Sequence, residues 1–202
     1  MTRRAAKYPL RLARALARLL CYGRKCGYVL DAYAGSGIVG RQCRQLGVAS
    51  LGFELSDDIR QDMTISAFDE WLEAEASAGK LRGAMLALPC RTFSLAQSRG
   101  GRAIRSQAEP RGLAHLTNAE QARADEGNRL LDSLYRILDV LNRHRVPYVI
   151  ENPSRSYLWH DPRLLNLLAS RQALFSRIHQ CSYGAPWRKA TTLAIVTNVI
   201  VN

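Results

Sequence analysis

Cys90 stands in Leu88-Pro89-Cys90-Arg91-Thr92-Phe93-Ser94, directly after the apolar run Ala84-Met85-Leu86-Ala87. A cysteine placed there is either a small buried hydrophobe or a nucleophile at the carboxyl edge of a sheet, where open α/β folds hold their ligands. Glu151 follows a second apolar run, Val146–Ile150. Burying a carboxylate there is expensive unless it is paired or faces a cleft. A thiolate beside an acid can add to a pyrimidine ring while the acid protonates a ring nitrogen. The competing reading of Glu151 is a helix cap or an ion pair with Arg155.

A third constellation is Gly35-Ser36-Gly37-Ile38-Val39-Gly40, a G-x-G-x-x-G between a short apolar run and a helical stretch. Its glycines permit a tight turn and close backbone approach, and the helix N-terminus offers free N–H groups. Glu54, further along the chain, is placed to accept hydrogen bonds from ribose hydroxyls. These features fit a dinucleotide or S-adenosylmethionine. Asp31, just before the first glycine, would crowd a pyrophosphate. It suits a cationic methionine moiety, a hydrogen bond that orders the loop, or a turn cap. The balance favours S-adenosylmethionine over nicotinamide.

Positioning these groups requires strands that end near Asp31, Glu54, Leu88 and Ile150. The pattern predicts strands over Gly27–Asp31, Ala49–Glu54, Leu81–Leu88, Val146–Ile150, Arg177–Ser182 and Thr191–Val201. Helices are predicted over Pro9–Leu20, Gly40–Leu46, Ala67–Ala76, Asn118–His144 and Leu164–Leu174. Alternating strands and helices mean a single α/β domain over residues 1–202, with a mostly parallel sheet and helices on both faces. A basic N-terminal helix lies within residues 1–26. Residues 91–113 form a basic loop in which Arg91, Arg99, Arg102, Arg105 and Arg111 outnumber the single acid Glu109. It reads as a mobile lid over a phosphodiester backbone or as a disordered surface loop.

The chain has 29 Lys and Arg against 17 Asp and Glu, a net charge of +12. That excess favours an anionic partner, nucleic acid first, over a merely soluble basic surface. The odd count of five cysteines at irregular spacing is no disulfide framework. With no Cys-x-x-Cys pair and scattered histidines, no metal site is expected. A reducing intracellular compartment, cytoplasm or nucleus, follows. No apolar run is long enough to span a membrane. The acid-free, Arg-rich N-terminus reads as an amphipathic helix, with organelle targeting as the alternative.

Four segments, in order, resemble the motifs of the DNA cytosine-5 methyltransferases. Asp31-Ala32-Tyr33-Ala34-Gly35-Ser36-Gly37 resembles that family's Asp-x-Phe-x-Gly-x-Gly. Leu88-Pro89-Cys90-Arg91-Thr92-Phe93-Ser94 resembles Pro-Pro-Cys-Gln-x-Phe-Ser. Ile150-Glu151-Asn152 resembles Glu-Asn-Val, and Tyr183-Gly184-Ala185-Pro186-Trp187-Arg188-Lys189 resembles Tyr-Gly-Val-Pro-Gln-x-Arg. The resemblance implies a Rossmann-like methyltransferase fold with an antiparallel last strand. It implies that Cys90 attacks carbon 6 of a flipped-out cytosine and Glu151 protonates nitrogen 3. Carbon 5 takes the methyl group, and β-elimination frees the enzyme.

By the same resemblance, Asp31, Ala34, Gly35, Gly37, Glu54, Asp62 and Pro89 would hold S-adenosylmethionine. Arg91, Ser94, Arg99, Arg102, Asn152, Arg188 and Lys189 would contact DNA or the target base. The departures are Leu88 for the first proline, Arg91 for glutamine, Pro153 for valine, and Lys189-Ala190-Thr191 for the closing Arg-x-Arg. The family's target-recognition domain has no counterpart here, as in compact phage-like forms. A monomer with a separate recognition subunit is therefore expected. The basic N-terminal helix is the candidate to replace the family's last helix. A non-catalytic nucleic-acid-binding protein and a nicotinamide oxidoreductase are the competing readings.

Overall fold

The computed structural model describes residues 10–21, 27–35, 37–54, 62–94 and 102–197. The strands are Tyr28–Ala32 (β1), Ala49–Phe53 (β2), Leu81–Leu86 (β3), Tyr148–Pro153 (β4), Leu174–His179 (β5) and Ala190–Val196 (β6). The helices are Leu10–Cys21 (α1), Ile38–Gln45 (α2), Ser66–Ser77 (α3), Asn118–Arg143 (α4) and Pro162–Ser170 (α5). The strands form one sheet in the order β2-β1-β3-β4-β6-β5. Pairings among β2, β1, β3 and β4 are parallel, and β6 runs antiparallel to both of its neighbours. The mostly parallel α/β sheet with a reversed last strand is the architecture the sequence predicts.

Successive side chains on a strand point to opposite faces, and here each face has its own core. Val29, Met85, Val149 and Leu193 join Leu16, Ala17, Ile38, Val39 and Cys43, from α1 and α2, on one face. Leu30, Leu86, Ile150 and Ala194 join Phe68, Leu72, Leu134, Leu138 and Leu164, from α3, α4 and α5, on the other. Continuously apolar strands such as Ala84-Met85-Leu86 follow from burial on both faces. The basic N-terminal helix is α1, which packs against α2 and reaches β3 and β4.

Several boundaries differ from expectation. β4 begins later than predicted and continues through Glu151, Asn152 and Pro153, which pair with Leu193, Thr192 and Thr191. Glu151 therefore lies inside a strand, because backbone pairing to β6 outlasts the apolar run. β5 starts at Leu174, whereas the predicted helix extended to that residue. α5 is instead set by the Asp161 side chain, which accepts from the Leu164 N–H, and by Pro162 in its first turn. β3 stops at Leu86 and leaves Ala87–Cys90 as a loop.

α4 starts at a capping box in which Thr117 and Glu120 bond each other's N–H groups. Its Gly127 lies against the loop after Cys90. A Cβ there would sit 2.3 Å from Thr92 Oγ1 and 2.7 Å from Arg105 Nη2. Gly127→Ala is therefore expected to destabilise the chain by roughly 1–3 kcal/mol, readable as a lower urea midpoint. Unchanged stability would mean that α4 does not approach this closely.

Candidate active site

The loop between β1 and α2 turns on left-handed backbone at Tyr33 (φ 59), Gly35 (φ 54) and Gly37 (φ 63). Glycine accepts this freely; Tyr33 is held there by burial and by its hydroxyl donating to the Leu130 carbonyl. Glu54, at the end of β2, accepts the Gly35 N–H at 2.7 Å. The Ala34 N–H bonds the Phe53 carbonyl at 2.9 Å. Asp31 is 3% exposed and accepts the Gly40 N–H of α2 at 3.2 Å. Burial pushes its carboxyl up from 3.8 to about 7. The Gly40 hydrogen bond opposes the rise, and the nearby Glu54 charge adds to it.

Two carboxyl groups thus meet at the carboxyl edges of β1 and β2, and both also order the glycine loop. The hydrogen bond expected as one alternative for Asp31 is present. It occupies one of the N–H groups that a pyrophosphate at the start of α2 would need. Asp62 lies at the start of another turn, where it accepts from the N–H and hydroxyl of Thr64. Phe53, Phe68 and Trp71 pack as an aromatic cluster next to Glu54, with centroids 5.0 to 5.5 Å apart.

Cys90 is half-buried, with a free thiol, and its carbonyl accepts from the N–H groups of Phe93 and Ser94. β3 and β4 pair in parallel with Leu86 opposite Ile150, so the loop carrying Cys90 leaves β3 beside the continuing part of β4 that holds Glu151. The completely buried Asn152 reaches across: its Nδ2 donates to the Leu88 carbonyl at 2.8 Å. Its Oδ1 has no donor among the described residues. A second tie lies beyond, where Ser94 bridges Ser156 and the Tyr157 N–H bonds the Phe93 carbonyl at 2.8 Å. Asn152, expected among the base contacts, spends its amide on the loop that carries Cys90.

Glu151 is 4% exposed. The Lys189 ammonium lies 3.6 Å from its Oε1, so the ion pair involves Lys189 and not the Arg155 of the competing reading. Lys189 is fixed from behind: its carbonyl accepts the N–H of buried Gln180 at 2.9 Å. The Gln180 side chain in turn accepts from Trp187 and donates to Thr191. Pro89, Arg91 and Arg188 are exposed, and Ala34 is half-buried. Arg99 and Ser36 lie outside the described residues.

The basic stretch divides in two. Arg102 is exposed and donates to the His115 carbonyl, and Arg111 pairs with Asp132 at 2.7 Å. Arg105 is 1% exposed and packs inside the protein. A small cleft beside the Cys90 turn is lined by Thr92, Ser94, Arg102, Arg105, Arg123 and Tyr157, with no carboxylate among the described residues. Sequence reasoning missed Gln180 and Arg123, and it counted Arg105 as a surface charge. Among the described residues no cluster of His, Cys, Asp and Glu could hold a metal ion. No helix among them is long and apolar enough to cross a membrane.

No family model and no curated protein matches the chain. Among solved structures it is similar to a SAM-dependent methyltransferase from Archaeoglobus fulgidus, at 14% identity over 92% of this chain and 94% of that one, with a TM-score of 0.47.

Proposed function

We propose that the chain is an S-adenosylmethionine-dependent methyltransferase that modifies carbon 5 of cytosine in DNA through a covalent adduct to Cys90. The observation that carries this reading is the Asn152–Leu88 hydrogen bond. It couples the loop bearing a half-exposed thiol to the strand bearing a buried carboxyl, at the carboxyl edge of a parallel sheet. Cys90 adds through Sγ to carbon 6 of the ring, and Glu151 delivers a proton to nitrogen 3. The electron-rich carbon 5 is then alkylated. With S-adenosylhomocysteine left as the by-product, a solvent base takes the carbon 5 proton, the Cys90 sulfur departs as thiolate, and nitrogen 3 returns its proton to Glu151, restoring the aromatic ring.

The residues around the glycine loop fit the methyl donor. Asp31 and Glu54 place two carboxyl groups at the edges of β1 and β2 in a chain of net charge +12. This local acidity suits a sulfonium cation and ribose hydroxyls. It disfavours a pyrophosphate, whose N–H partner at Gly40 is already taken by Asp31. S-adenosylmethionine supplies an electrophilic methyl group there. The exposed Arg102 and Arg123 beside the Cys90 turn suit backbone phosphates of the nucleic acid.

The test is transfer of labelled methyl groups to cytosine-containing DNA, followed by digestion and identification of the labelled base. Label in 5-methylcytosine is the expected result. Label in RNA alone, or in another base, would redirect the substrate. Binding to DNA without any transfer would favour the non-catalytic reading.

A further inference from the structure

Among the described residues of the basic stretch, Arg105 is the most deeply buried charge. Its Nη1 donates to the Pro110 carbonyl at 2.7 Å and to Asn128 Oδ1 at 2.9 Å. Its Nη2 donates to the Ala124 carbonyl at 2.8 Å and to Thr92 Oγ1 at 3.2 Å. The guanidinium carbon stands 4.1 Å from the centroid of the Phe93 ring. All four acceptors are neutral, and no carboxylate lies within ion-pair distance among the described residues. Burying a cation this way is costly, and an apolar side chain of similar volume would stabilise a core at least as well. What the guanidinium adds is geometry: a rigid planar fork that addresses several acceptors at once.

Those acceptors belong to α4, to the loop at Pro110 and to the turn that begins at Cys90. Thr92 and Phe93 follow Cys90 closely, and the Phe93 N–H bonds the Cys90 carbonyl. Gly127 lets α4 approach so near that Thr92 and Arg105 fill the space where a Cβ would stand. We propose that Arg105 is a positioning residue for Cys90, locking the Cys90–Ser94 turn against α4 so that the thiol is held at the end of β3. This rests on the reading of Cys90 as the nucleophile. Of the charged groups near Arg105, Arg111 adds by repulsion to desolvation in lowering its pKa to about 10, and Asp125 opposes both. It therefore stays a cation at neutral pH.

The experiment compares wild type with Arg105→Lys, which keeps the charge but not the fork, and with Thr92→Val, which removes a single acceptor. Amide hydrogen exchange at Phe93 and Ser94 is followed by nuclear magnetic resonance, and methyl transfer is resolved into kcat and KM. In the lysine variant, exchange at these two amides should accelerate at least tenfold while α3 and β1 amides keep their rates. Its kcat should fall at least tenfold with the KM for the methyl donor within twofold of wild type. Thr92→Val should move both readouts the same way by a smaller factor. Unchanged exchange at Phe93 and Ser94, or a lowered melting temperature with kcat intact, overturns the proposal. A wild-type chain that transfers no methyl group defeats the functional reading instead, and the exchange rates still decide whether Arg105 holds the turn.

Discussion

Cys90→Ala should abolish methyl transfer to DNA, with a loss of about 10³-fold or more, while the protein stays folded and binds the methyl donor as before. Cys90 is only half-buried, so removing its sulfur opens no large cavity, and the urea midpoint should hardly move. Glu151→Gln keeps the shape of the side chain and removes the transferable proton. Its expected cost is about 10²- to 10⁴-fold in kcat, the range for a positioned general acid. The double variant should be little worse than Cys90→Ala alone, because residues that act as a unit are not additive. Full activity in Cys90→Ala would rule out the covalent route. Losses that simply multiply would show that Glu151 acts independently of the thiol.

Asp31→Asn should make the fold more stable at pH 8 and change little at pH 4. With its carboxyl raised from 3.8 to about 7, the folded chain keeps a proton that the unfolded chain has already lost between about pH 4 and pH 7. Stability conferred by the neutral form is therefore fully present below pH 4, declines as the pH rises through that window and levels off above about 7. The cost of the ionised, buried carboxylate is on the order of 4 kcal/mol at most. Asparagine can still accept the Gly40 N–H and carries no charge to desolvate. The same substitution should erode any preference for the cationic methyl donor over neutral S-adenosylhomocysteine, measured by calorimetry at pH 8. A variant with the wild-type pH dependence of stability would refute the account of Asp31.

Much of this site is legible in the sequence because its signals are local. A glycine loop after an apolar strand requires left-handed backbone, and Tyr33, Gly35 and Gly37 supply it. Pro89 and Cys90 after Ala84–Ala87 mark the end of a buried strand to within a few residues. Glu151 was harder to place, since the apolar run stops at Ile150 while the strand continues. What prolongs β4 is its pairing with Leu193, Thr192 and Thr191, remote in sequence. Arg105 was illegible for a related reason. In sequence it is one arginine among five in a polar stretch. Only Phe93, Thr92, Ala124 and Asn128, arriving from the Cys90 loop and α4, turn it into an interior residue. The pairing of Lys189 with Glu151 likewise depends on β6 lying beside β4.

The insertion of β6 between β4 and β5 also dictates an order of assembly. β5 is made before β6, yet among the described residues its pairing partner in the sheet is β6 alone. On a ribosome, β5 must wait, and the edge of β4 that carries Glu151 and Asn152 stays bare until Ala190–Val196 emerges. Bare edges are templates for pairing between chains, and such long-range closures are slow. A nascent chain stalled before Ala190 would therefore present β4 as an edge open to pairing with other chains.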